Sequence, residues 1–168
     1  MSFDFSSEIG EQPAREITVL AVGNLIMGDD GIGPAILSRL VADRGEDPRI
    51  WFEDGGLGGM QLLDVVRQSP RLLILDAIAS HQPPGTVLRV GGDQVPRMLA
   101  SKLSPHQVGL LDVLTAARLL QDEPDEVEVV GVVPALLSLQ VGLSEVVEAA
   151  IGEAVQRAHE VLDEWLVP

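Results

Sequence analysis

Two acidic side chains, Asp29 and Asp30, stand where a phosphate-binding turn would carry Lys and then Ser or Thr. Gly23 and Gly28 have the G-x-x-x-x-G spacing of such a turn. They lie between the apolar run Ile17-Thr18-Val19-Leu20-Ala21-Val22 and a helix-like segment opening at Gly31-Ile32-Gly33-Pro34. In a phosphate loop the Lys and hydroxyl side chains meet phosphate oxygens and magnesium. Carboxylates accept hydrogen bonds and carry negative charge, so this turn repels a phosphate and attracts a cation. The other use of an acid here is helix capping, which satisfies orphan N–H groups and favours the macrodipole. Capping accounts for one aspartate comfortably and for two less well.

Further candidates follow along the chain. Asp76 ends the run Leu72-Leu73-Ile74-Leu75. An ionised carboxylate there needs a cation or hydrogen-bond donors, whether as a ligand or as a cap for the next loop. Asp54-Gly55-Gly56 reads as a turn, since Asp-Gly tolerates positive φ, and a ligand could still approach the glycine backbone closely. Ser104-Pro105-His106-Gln107 has Ser at N-cap, Pro at N1 and Gln at N3, a capping-box helix start. His106 then sits at N2, where the helix dipole disfavours imidazolium and leaves the neutral ring a metal requires; a half-exposed first-turn histidine is the alternative. His81 lies in a Pro-rich turn and His159 in the last helix, and neither is assigned chemistry. Two carboxylates and a neutral imidazole suit zinc with an open position, or nickel or manganese completed by water.

These residues need a scaffold that gathers them. Apolar runs predict strands over Glu16–Val22, Ile50–Phe52, Arg71–Asp76, Thr86–Val90 and Glu126–Val133. Helices are predicted from Gly31 to Asp43, with Ile32, Ile36, Leu40 and Val41 on one stripe, and over Gly59–Arg67, Gln94–Ala100 and Ser104–Leu120. Ser144 is expected to cap one long final helix carrying Val147, Ile151, Val155, Ala158, Leu162 and Trp165. Strands alternating with helices predict an α/β domain with a mostly parallel sheet and helices on both faces. Ligands bind at the carboxyl ends of such strands, so Asp29, Asp30, Asp54 and Asp76 are expected on one rim. The division expected is a polar tail over residues 1–15 and one domain over 16–168.

Composition narrows the partners. The 168 residues carry 26 acids against 11 bases, a net charge of −15, which leaves no basic patch for nucleic acid or an anionic membrane. Without cysteine there is no disulfide, thiolate site or cysteine nucleophile. No run reaches the roughly 18–20 apolar residues of a membrane span, and the first residues lack the features of a secretion signal, so a cytoplasmic protein is expected. A dinucleotide fingerprint fails because acids stand where pyrophosphate would sit, which also disfavours a nucleotide-binding domain. The G-x-S-x-G and H-E-x-x-H motifs are absent.

The order Gly23-Asn24, Gly28-Asp29-Asp30-Gly31-Ile32-Gly33, Asp54-Gly55-Gly56, Leu75-Asp76-Ala77-Ile78, Ser104-Pro105-His106-Gln107 and Val130-Gly131-Val132-Val133-Pro134 resembles the hydrogenase maturation endopeptidases. The resemblance spans about residues 17–165. It implies a three-layer α/β/α sandwich around a five-stranded, mostly parallel sheet. It implies one cut near the C-terminus of the [NiFe] hydrogenase large-subunit precursor after nickel insertion, with nickel as the recognition signal. The metal set it carries over is Asp30, Asp76 and His106, the same three being the catalytic candidates. Gly23, Asn24, Gly28, Asp29, Asp54, Gly55 and Gly56 are the substrate-contact candidates, Asp29 being also the better cap. Nickel is expected to arrive with the substrate, zinc or another divalent cation being able to take its place, and the protein to act as a monomer. Many members carry Glu at the position of Asp30, and many carry Glu after the late proline, where Ala135 stands here. A nickel-sensing chaperone or checkpoint module that binds without cutting is the alternative.

Overall fold

The structure, a computed structural model, describes residues 14–101 and 105–168, the side chains of 105–108 excepted. Most of the expected polar tail and the expected N-cap Ser104 therefore lie outside the described residues. Five strands, β1 (Ile17–Ala21), β2 (Ile50–Asp54), β3 (Arg71–Ala77), β4 (Val87–Gly91) and β5 (Glu126–Val132), form one sheet in the order β2-β1-β3-β5-β4. The pairs β1–β2, β1–β3 and β3–β5 are parallel, and β4 joins β5 antiparallel at the edge.

Strands β1 and β3 are apolar almost throughout because both faces of the sheet are covered. Alternation divides their side chains. Ile17, Val19, Ala21, Leu73, Leu75 and Ala77 pack with α1 (Ile32–Arg44), α5 (Glu145–Glu148) and α6 (Ile151–Trp165). Leu20, Val22, Leu72 and Ile74 pack with α2 (Leu63–Arg67), α3 (Gln94–Ala100) and α4 (Pro105–Leu119). The result is the α/β/α sandwich expected from the sequence. Each fully buried Leu or Ile contributes roughly 1.5–3 kcal/mol to it. Arg89 on β4 pairs with Glu128 on β5 and Glu164 on α6, which ties the antiparallel edge strand to its covering helix.

Several boundaries differ from expectation. The segment expected as one helix over Gly59–Arg67 divides into a 3-10 turn, Met60–Leu62, and α2. The single helix expected after Ser144 is broken into α5 and α6, and Ala150 N–H bonds to Val147 O, three residues back rather than four. Asp54, expected after β2, is its last residue, and β3 runs one residue past its expected end at Asp76. On α1 the buried stripe runs through Leu37, while Val41 is exposed.

Candidate active site at the carboxyl rim of the sheet

Four strands point the same way, so the loops after β1, β2, β3 and β5 open along one rim. Asp30 lies in the 3-10 turn Gly28–Gly31 after β1, and Asp76 is the last residue but one of the neighbouring β3. Both are removed from solvent, at 2% and 0% exposure. By alternation Asp76 shares its side of the pleat with Leu72 and Ile74, the side covered by α2–α4. The backbone of His106 lies in the first turn of α4, and its side chain is outside the described residues. One turn further on, Gly109 abuts Gly59: a Cβ on Gly109 would lie 3.6 Å from the Gly59 Cα. That contact seats the start of α4 beside the loop after β2.

The carboxylates are positioned through backbone. Asn24 N–H donates to Asp30 Oδ2 at 3.1 Å, and Asn24 Oδ1 accepts Ile26 N–H at 3.2 Å. Ala77 N–H donates to Asp76 Oδ1 at 2.8 Å. Two glycines permit the approach of main chain that these positions require. At Gly23, φ is +153° and a Cβ would sit 2.2 Å from the Asp30 carbonyl oxygen. Gly131 lies opposite Asp76 in the β3–β5 register, where a Cβ would sit 1.9 Å from the Asp76 carbonyl oxygen.

Asp29 departs from its expected role as helix cap. No side-chain hydrogen bond caps α1. The Asp29 carboxylate is fully buried and reaches across to the loop after β5. It accepts Ala135 N–H and Leu136 N–H at 2.8 Å each, Ser144 N–H at 2.7 Å and the Ser144 hydroxyl at 2.9 Å. Burial pushes its pKa up, but the donors from Ser144, Leu136 and Ala135 outweigh it and hold the group below the usual aspartate range. Ser144 stands at the expected N-cap position of α5, yet its hydroxyl goes to Asp29 instead of capping. Gly28 is likewise turned inward: it is buried, and its N–H donates to Gln140 O at 2.8 Å. Asp29 and Gly28 therefore hold two rim loops together.

The remaining candidates stay at the rim. Gly23 N–H donates to Gly56 O at 2.8 Å, joining the first two loops. The exposed Asp54 accepts Gly56 N–H on Oδ1 at 3.0 Å, the turn its sequence suggests. His81 is exposed in the β3–β4 loop, and His159 pairs with Arg44 between α6 and α1. Among the described residues no group of three or more His, Cys, Asp or Glu side chains could hold a metal ion. The described part of the expected set is the Asp30 and Asp76 pair. Buried oxygen donors of this kind can ligate a divalent cation or take a proton from water. What sequence reasoning missed is the partnership of Asp29 with Ala135, Leu136 and Ser144. The one available signal is that residues 129–143 carry no Lys, Arg, Asp or Glu.

Comparison with known proteins gives a consistent result. A family model described as hydrogenase maturation protease matches residues 34–161. The hydrogenase 2 maturation protease of Escherichia coli K12 is 38% identical over 149 residues, covering 88% of this chain and 91% of that protein. The hydrogenase expression/formation protein HupD of Thiocapsa roseopersicina is 37% identical over 152 residues, covering 89% of this chain and 69% of its own. The solved structure of the hydrogenase maturating endopeptidase HybD from E. coli matches with a TM-score of 0.84 at 36% identity, over 89% of this chain and 93% of that one.

Proposed function

This chain belongs to the hydrogenase maturation protease family, and from that premise we propose that it removes the C-terminal extension of a [NiFe] hydrogenase large-subunit precursor once nickel has been inserted. The observation that carries the reading is the two buried carboxylates, Asp30 in the turn that follows β1 and Asp76 at the end of the adjacent parallel β3, with the first turn of α4 seated at the same rim. Nickel is then part of the substrate. Asp30, Asp76 and His106 engage it and so set the scissile bond beside the rim. Two oxygen donors and an imidazole suit a borderline divalent ion, and zinc could substitute for nickel at the same donors.

Hydrolysis at this site needs a proton acceptor and a way to stabilise the developing oxyanion. Asp30 takes a proton from water, the water oxygen bonds to the peptide carbonyl carbon, the C–N bond breaks, and the amine leaves with the proton. Polarisation by the substrate's nickel contributes several kcal/mol to the second requirement. The experiment is processing of nickel-loaded precursor, read as loss of the C-terminal extension by mass spectrometry. Asp30→Asn and Asp76→Asn should each lower the rate by about 100-fold or more, and nickel-free precursor should stay uncut. Full processing by either variant would overturn the roles given to these carboxylates.

A further inference from the structure

The rim that surrounds Asp30 and Asp76 combines uncharged loops with exposed apolar side chains. Charged residues make up 22% of the sequence, yet segments 22–28, 55–63, 77–88 and 129–143 carry no Lys, Arg, Asp or Glu. These are the loops after β1, β2, β3 and β5, with short stretches of the adjoining elements. They are not merely neutral. Leu25 and Ile26 are 60% and 52% exposed, Leu57 and Met60 58% and 55%, and Leu139 and Val141 80% each. Large side chains this exposed, on three separate loops of one edge, mark an interaction surface.

The surface is also pre-assembled. Gln140 N–H donates to Ile26 O at 2.9 Å and Gly28 N–H to Gln140 O at 2.8 Å, so Leu139 and Val141 flank the segment carrying Leu25 and Ile26. The Gly23–Gly56 bond brings Leu57 alongside. Asp29 fixes both ends of the 135–144 loop through its four donors. Docking on loops already tied in this way costs little ordering entropy.

We propose that this neutral apolar ring is the docking surface for the large-subunit precursor, and that it takes an uncharged, apolar stretch of the precursor next to the bond to be cut. The inference rests on the endopeptidase reading above. Two observations choose this occupant. The ring is continuous with the carboxylates, so any chain whose peptide bond reaches Asp30 must cover these loops. A second copy would seal both aspartates from substrate and bring two chains of net charge −15 face to face.

The test compares Leu139→Ser/Val141→Ser and, separately, Leu25→Ser/Ile26→Ser with the unmodified protein on nickel-loaded precursor. Leu119→Ser, equally exposed at the far end of α4, is the control. Each rim double variant should raise KM by about tenfold or more with kcat nearly unchanged, as expected for lost anchor side chains. Thermal midpoints should stay level, and added salt should not raise KM, since apolar contacts are not screened. Should one double variant fail to fold, the other decides. Unchanged KM in a variant of an active protein overturns the docking surface and leaves the endopeptidase reading standing. An unmodified protein that neither binds nor cuts the precursor overturns both. A dimer in light scattering that the rim variants dissociate makes the occupant a second copy, which also overturns the proposal.

Discussion

At the scale of single residues, the adjacent aspartates have diverged in use because their side chains leave the turn in different directions. Asp29 is an anion held by three N–H groups and a hydroxyl, all contributed by the loop after β5. Asp29→Asn keeps the shape and puts an amide against donors. The expected loss is about 2 kcal/mol or more of stability at neutral pH, measured by urea unfolding. The pH dependence has a definite sign. The folded-state pKa lies below the ordinary value of 3.8, so the stabilisation is fully present above that value and is lost as pH falls below it toward the folded pKa. In unfolding titrations the Asn variant should show a shallower loss of stability across this acid range than the unmodified protein. The carboxylate types, and their order along the chain, are legible in the sequence. Which of the pair turns inward is not, because the donors come from residues more than a hundred positions away.

At the scale of elements, the register of β3 against β5 decides where Asp76 stands. Gly131 is the residue opposite, and there is no room for a methyl group against the Asp76 carbonyl. Gly131→Ala must separate the two strands, with an expected cost of about 3 kcal/mol and a fall in processing rate as Asp76 shifts. Gly152 is the contrasting case: it lies in the first turn of α6, and a Cβ there meets nothing within 4 Å. Gly152→Ala should raise stability by about 0.5 kcal/mol, read as a higher denaturation midpoint, because Ala loses less backbone entropy in a helix. Sequence periodicity locates β1, β3 and α3 well, since long apolar or amphipathic runs have one period. It reads α5 and α6 as one helix, because the backbone shift at Ala150 leaves the apolar spacing intact.

At the scale of the whole molecule, a net charge of −15 sits on a fold whose carboxyl-rim loops are uncharged over 22–28, 55–63, 77–88 and 129–143, with Asp54 the exposed acid beside them. The acids elsewhere repel one another, so the thermal midpoint should rise as sodium chloride is increased to about 0.5 M, which calorimetry would show. Among the described residues no helix is long and apolar enough to cross a membrane. The sequence by itself determined the α/β class, because apolar runs too short for helices alternate with amphipathic segments and only a doubly covered sheet buries both. It also determined the candidate carboxylates and their strand-end placement, since turn residues and acids interrupt those runs. Only the tertiary structure decided that β4 pairs antiparallel at the edge, that Asp29 braces the 135–144 loop, and that the uncharged loops share one rim. Each of these depends on contacts between segments distant in the chain, and such contacts leave no periodic trace in the segments that make them.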